Sequence, residues 1–376
     1  MRTGFFRIRS VAILVMIAPL LAIHRVAWWL DERLFKSLPE VRKPLFIVGV
    51  PRSGTTLAHR LVASQQSVFT TFPLWELLFA PALCEKYALA GIMGIDRLIG
   101  SPAATVVRWV QSRIAKSIAD VHPTTLDAPE EDYLGLLPFG GCFLKVLMSP
   151  HDERVWQLVA REDASRTKFV RLYRGLLARH LRFRGEQMTI VSKNPSFTNW
   201  IEALAKEFPD ARFIGLRRSL NESLPSQLSS MRGGFAMFGH DVADPRVVER
   251  FLAMYHSYWN GLERCRNHLL EQRFQLIEYS DLRERCWATI SGTLDRFGIQ
   301  SREDERQELH RLCEQSQNYV SRHRYDPAEF GLTPDQLRPT SASSNSPFDS
   351  ATASVVDLAE MTQPPLPQRS IPCAQR

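Results

Sequence analysis

The segment that most constrains this chain is Leu45-Phe46-Ile47-Val48-Gly49-Val50-Pro51-Arg52-Ser53-Gly54-Thr55-Thr56-Leu57. Four apolar residues running into a glycine predict a buried strand. A second glycine, two threonines and a helical pattern over 56–65 predict a tight turn that opens directly into a helix. Strand, glycine-bounded turn and helix in that order aim backbone N–H groups and a helix N-terminus at one spot, which is the geometry of an anion cradle. The spacing of Gly49 and Gly54 matches the phosphate loop G-x-x-x-x-G-K-[ST], but Thr55 stands where the lysine belongs. The cradle survives that change, with Arg52 supplying positive charge from inside the loop. What is lost is the nucleoside triphosphate chemistry that needs the lysine and Mg²⁺.

Further apolar runs at Thr189–Val191, Arg212–Leu216 and Phe274–Ile277 read as strands. Helical spacing covers Trp200–Phe208, closed by Pro209-Asp210, and longer stretches near 75–118, 152–182 and 246–271. Alternation of this kind predicts an α/β fold, a parallel sheet flanked by helices, and the family resemblance set out below implies a single domain over 43–337. Residues 338–376 are rich in Ser, Thr, Ala and Pro and read as a disordered tail. Residues 1–36 form a separate hydrophobic and basic segment. Arg2, Arg7 and Arg9 precede an apolar stretch from Val11 to Ile23, interrupted by Pro19, and Trp28-Trp29 follow. Three readings stay open for it: a short membrane anchor, a helix lying on a membrane surface, and a helix packed on the domain. Localisation is accordingly cytoplasmic or membrane-associated.

A net charge of +7 suits an anionic ligand or an anionic membrane surface. Nucleic acid is not expected, because no basic run is interleaved with aromatics and no recognition helix is visible. The six cysteines are scattered without a CxxC pair, so neither a zinc site nor a redox motif follows, and a reducing compartment fits buried thiols. No metal-ligand cluster is visible, and no metal is expected.

Pro51-Arg52-Ser53-Gly54-Thr55-Thr56-Leu57 after a strand resembles the 5′-phosphosulfate loop of the sulfotransferase superfamily, and is closest to its tyrosylprotein and bacterial-type branches. Other segments extend the resemblance in order. Lys193-Asn194-Pro195 is similar to the family's Lys-Ser-Pro or Lys-Asp-Pro. Phe208-Pro209-Asp210-Ala211-Arg212 leads to Arg218, with Ser226 on the next helix, as at the family's 3′-phosphate site. Ile277-Glu278-Tyr279-Ser280-Asp281-Leu282 resembles V-x-Tyr-Glu-Asp-Leu, and Pro129-Glu130-Glu131-Asp132 and Tyr325–Leu332 echo bacterial members. Arg217-Arg218-Ser219-Leu220 departs from the usual His-Arg-Asp-Pro, so Arg217 could compete with Arg218.

The resemblance implies a phosphate-loop NTPase-like fold that uses 3′-phosphoadenosine 5′-phosphosulfate (PAPS) as sulfuryl donor to a hydroxyl or amine. It puts Arg52, Ser53, Gly54, Thr55, Thr56 and Leu57 around the 5′-phosphate, Lys193 at the bridging oxygen, Arg218 and Ser226 on the 3′-phosphate, and Tyr279 beside the nucleotide. Glu76 and His122 are the rival bases for the acceptor. Burial would raise the Glu76 carboxyl, and nearby Arg52 and Lys193 would lower it. Structural readings stand beside these: Asp127 with Glu130 fits a helix capping box, and Phe72, Trp75, Met231, Phe235 and Phe238 are either an acceptor pocket or core. Two other functions stay open, a nucleotide kinase or NTPase and a non-catalytic membrane-tethered binding protein on the same fold.

Overall fold

The computed structural model describes residues 2–102, 105, 125–159, 164–269, 272–317 and 325–339, with side chains from Val15 onward except at 164 and 165. His122 and the Ser/Pro-rich segment beyond residue 339 lie outside the described residues. Five parallel strands form one sheet in the order β2–β3–β1–β4–β5: β1 (Leu45–Gly49), β2 (Phe69–Thr70), β3 (Thr189–Lys193), β4 (Arg212–Arg217) and β5 (Phe274–Glu278). The central strand is β1, paired with β3 on one side and β4 on the other.

Alternation along β1 explains its unbroken apolar run. Phe46 and Val48 enter one core, and Leu45 and Ile47 enter the other across the sheet. A parallel strand covered on both faces needs an apolar residue at every position. Helix α2 (Thr55–Ala63) supplies Ala58, Leu61 and Val62 to the second core, where α10 (Cys286–Arg296) and α11 (Glu303–Gln317) add Ile290, Leu294 and Leu309. The first core is built on Tyr173, Leu176, Leu177 and Leu181 of α5 (Ala164–Arg184), with α6 (Ile201–Glu207), α7 (Leu220–Met237) and α8 (Pro245–His268). Each buried Leu, Ile or Val among them contributes about 1.5–3 kcal/mol.

The stretch expected to be helical from residue 75 is divided at Ala80–Ala82 into α3 (Leu74–Phe79) and α4 (Leu83–Leu98); Pro81 cannot continue a helix. Asp127 and Glu130 do not cap a helix. The chain there is turn and extended, and a 3-10 segment begins only at Asp132, with no side-chain cap. A short α9 (Tyr279–Glu284) follows β5.

Helix α1 (Arg2–Leu34) runs through Pro19. Its C-terminal half packs on the domain, the third of the three readings. Buried Asp31 accepts from Arg179 Nε at 2.8 Å and from the backbone N–H of Leu83 and Cys84 at 2.6 and 2.9 Å, so it caps α4 from another helix. His24 pairs with Glu85 at 2.7 Å, and Trp28 lies under the Arg179 guanidinium. Among the described residues, no helix is long and apolar enough to cross a membrane.

Candidate active site

The residues singled out around the loop come together at the C-terminal ends of β1, β3, β4 and β5, where parallel α/β sheets bind ligands. Gly49 ends β1 at φ 143°, and a Cβ there would lie 2.2 Å from the carbonyl oxygen of Leu216. Only glycine fits so close to β4. The loop then takes left-handed backbone at Arg52 (φ 66°) and at Gly54 (φ 90°), and α2 begins with Ala58 N–H donating to Gly54 O at 3.0 Å. A Cβ on Gly54 would press on Leu282 and Tyr279 at 3.0 Å. The floor is anchored by buried Ser53, whose hydroxyl donates to Leu216 O at 3.2 Å.

Charge converges on this loop from two sides. On one, Arg52 Nε donates to the buried Ser226 hydroxyl at 3.1 Å. Arg218 reaches the Arg52 carbonyl at 3.4 Å, donates to Glu222 at 2.9 Å and stacks over the Tyr279 ring at 4.3 Å. The structure thus gathers Arg52, Ser226, Arg218 and Tyr279 from four separate segments. Arg217 does not compete. Its guanidinium is spent on Glu278 and Glu263 and lies over Trp259.

On the other side, Lys193 ends β3 almost fully buried. Its Nζ meets Thr56 Oγ1 at 3.4 Å, Glu130 at 3.5 Å and Glu131 at 3.2 Å. Behind it, Asp132 is buried and accepts from the Tyr173 hydroxyl at 2.8 Å, from Ser192 at 3.1 Å and from Asn194 Nδ2. Asn194 Oδ1 in turn accepts from Tyr133 N–H at 3.0 Å. Ser192 and Asn194 flank Lys193, so one carboxyl ties the lysine's strand to the Glu130–Glu131 segment. Burial pushes the Asp132 carboxyl up to about 7, against the pull of those hydrogen bonds.

Glu76 is placed elsewhere. It is fully buried, with Oε2 accepting from Lys86 Nζ at 2.9 Å and from His180 Nδ1 at 2.8 Å, and Oε1 from Arg184 Nε at 2.7 Å. Burial pushes this carboxyl up, but Lys86, His180 and Arg184 together hold it well below the usual carboxylate range. The cations acting on it are therefore not Arg52 and Lys193, and both its oxygens are occupied. Phe72, packed on the His180 ring at 4.0 Å, and Phe235 are core residues, not pocket lining.

Sequence reasoning missed three supports of the site: the Asp132 clamp, Thr198, and Tyr255. Thr198 Oγ1 accepts from Gly49 N–H at 2.8 Å, and the Tyr255 hydroxyl donates to Pro51 O at 3.2 Å. Thr198 lies close behind Lys193-Asn194-Pro195, a signal that could have found it. Tyr255 lies far away in sequence on an ordinary amphipathic helix and gave none.

The loop, with its glycine-bounded backbone, exposed Thr56 and converging Arg52, Arg218 and Lys193, fits a multiply charged phosphorylated ligand. The sulfotransferase family profile matches residues 44–304. Omega-hydroxy-beta-dihydromenaquinone-9 sulfotransferase Stf3 from Mycobacterium bovis and that from Mycobacterium tuberculosis are each 22% identical over 259 residues, 64% of this chain. The match spans 58% of those relatives' own length. Among solved structures, sulfotransferase STF9 from Mycobacterium avium superposes with a TM-score of 0.65 at 18% identity, over 84% of this chain and 79% of that one. STF1 from Mycobacterium tuberculosis gives 0.58 at 17% identity, over 84% and 80%. At these identities the two structures establish the shared fold.

Proposed function

This chain belongs to the sulfotransferase family, and from that membership we propose that it moves a sulfuryl group from PAPS to an acceptor hydroxyl or amine. The observation that carries the reading is the convergence of Arg52, Ser226, Arg218 and Tyr279 on the glycine-bounded loop, with Lys193 and Thr56 opposite. The donor, when bound, supplies an activated sulfuryl group on a phosphate leaving group.

In this reading the loop N–H groups and Arg52 hold the 5′-phosphate. Arg218 and Ser226 hold the 3′-phosphate, with the adenine beside Tyr279. Lys193 neutralises charge growing on the bridging oxygen, an interaction strongest in the transition state. A kinase reading is disfavoured because Thr55 replaces the loop lysine.

The acceptor class we favour is a hydroxyl on an apolar small molecule or lipid, on the strength of the relatives named for an omega-hydroxy menaquinone acceptor. An exposed apolar face agrees with peripheral contact to a membrane surface. Val15, Met16, Ile23 and Val26 of α1, and Ile92, Ile95 and Leu98 of neighbouring α4 with Ile99 just after it, are each more than half exposed.

Calorimetry with 3′-phosphoadenosine 5′-phosphate and with AMP tests the donor. The 3′-phosphorylated nucleotide should bind roughly 10–100-fold more tightly, because a charge-assisted contact contributes about 1.5–3 kcal/mol. Equal affinity for the two would overturn the reading.

A further inference from the structure

We propose that Glu130 is the general base that takes the acceptor's proton; this rests on the sulfuryl-transfer reading above. Lys193 is the cation at the reacting centre in that reading, and two carboxylates flank it. One ammonium leaves the pair with an excess negative charge, at side chains only about a quarter exposed (24% and 26%).

The two glutamates are not equivalent. Glu131 is the tighter partner of Lys193, at 3.2 Å, and its charge also acts on the Tyr133 hydroxyl, which burial and that charge together hold well above its ordinary pKa. Glu130 Oε1 accepts from Glu131 N–H at 3.0 Å and lies 3.5 Å from Lys193, while among the described residues its Oε2 accepts nothing. A base needs an open lone pair, and among the described residues Glu130 Oε2 carries one. Glu76, enclosed by three donors, has none.

The backbone holds Glu130 in place on both sides. Its N–H donates to Phe72 O at 3.1 Å beside the Pro73–Pro129 bridge, and two residues on the Asp132 clamp fixes the segment to the strand that ends in Lys193. Base and lysine therefore keep a set separation.

The step balances as follows. An acceptor O–H gives its proton to the Glu130 carboxylate while its oxygen lone pair forms a bond to sulfur. The bond between sulfur and the 5′-phosphate oxygen breaks, and its electron pair stays on that phosphate beside Lys193. Glu130 later releases the proton to water. No oxidant, reductant or metal enters.

The test compares wild type, Glu130→Gln and Glu131→Gln with three acceptors: benzyl alcohol, which stays protonated; p-nitrophenol, largely ionised in mildly alkaline buffer; and water, read as sulfate release. Nucleotide binding is measured alongside by calorimetry. Glu130→Gln should bind 3′-phosphoadenosine 5′-phosphate within about twofold of wild type, and lose about 10²–10⁴-fold in kcat with benzyl alcohol. With p-nitrophenol, which needs no base, the loss should be less than about tenfold. Glu131→Gln should show no such dependence on acceptor ionisation. Equal losses for both acceptors, or none, would overturn the assignment while leaving the donor reading intact. So would a wild-type chain that binds the nucleotide yet releases sulfate to no acceptor, water included. A wild-type chain that binds neither nucleotide form in preference overturns the donor reading itself.

Discussion

Replacing Glu76 with glutamine separates a structural counter-ion from a chemical group. The side chain keeps its size and loses its charge, with Lys86 and His180 fully enclosed around it. Glutamine offers one acceptor oxygen, so its NH2 must face Lys86 and His180 or else Arg184. An unpaired buried donor costs about 1–3 kcal/mol, and a buried ion pair stripped of one partner about 3–5 kcal/mol. The two costs overlap, and Arg184, 37% exposed, can turn to water. We expect a net loss of about 3–5 kcal/mol, or roughly 6–15 °C in Tm at a few degrees per kcal/mol for a domain of this size. The loss should also depend on pH. Without Glu76, burial holds the Lys86 pKa below its unfolded value, so the unfolded chain binds more protons and the deficit shrinks as pH rises toward about 10. In wild type the Glu76 carboxyl is held below its unfolded value, so its stabilising contribution is present above about pH 4 and lost as pH falls further. Thermal and urea unfolding across pH, with sulfuryl transfer measured on the same samples, provide the assay. An unchanged Tm with abolished transfer would refute the reasoning and make Glu76 the base.

Two further outcomes are expected. Asp132 has a folded pKa raised by burial to about 7, above the unfolded value of about 4, so its contribution is full below pH 4 and is lost as pH rises through 7. Asp132→Asn should therefore flatten the urea midpoint against pH over that window, and curves parallel to wild type would contradict the clamp. For the membrane face, deletion must stop before His24, because His24, Trp28 and Asp31 are part of the packed domain. Removing residues 2–20 takes away Arg2, Arg7, Arg9, Val15 and Met16 and should weaken sedimentation with vesicles of anionic phospholipid while leaving Tm within a few degrees, whereas unchanged sedimentation would remove this stretch from the vesicle-binding surface.

Much of the frame was readable because it is local. The four strands of five or six residues stand where their apolar runs predicted, since covering both faces favours apolar side chains along most of a strand; the buried polar exceptions, Ser192 and Lys193 on β3, belong to the site. The edge strand Phe69–Thr70 was not readable, being only two residues long. Arg52, Lys193, Arg218 and Ser226 were singled out through motifs at strand ends, and the fold brings them to one loop. Their surroundings were not, because Asp132 meets partners 41 to 62 residues away, and no periodicity encodes such pairs. Glu76 looked like a base from its position after α2. Only the structure reveals the cations from α4 and α5 that close around it.

The Asp31–Arg179 clasp also bears on synthesis. Its two halves are separated by 148 residues, so at about 5–20 residues per second α1 leaves the ribosome roughly 7–30 s before the guanidinium that holds it. Through that interval its apolar side chains have no partner from α5, and the nascent chain presents them to whatever is nearby, whether chaperone, lipid or another copy. Yield on expression should therefore respond to translation speed and chaperone supply.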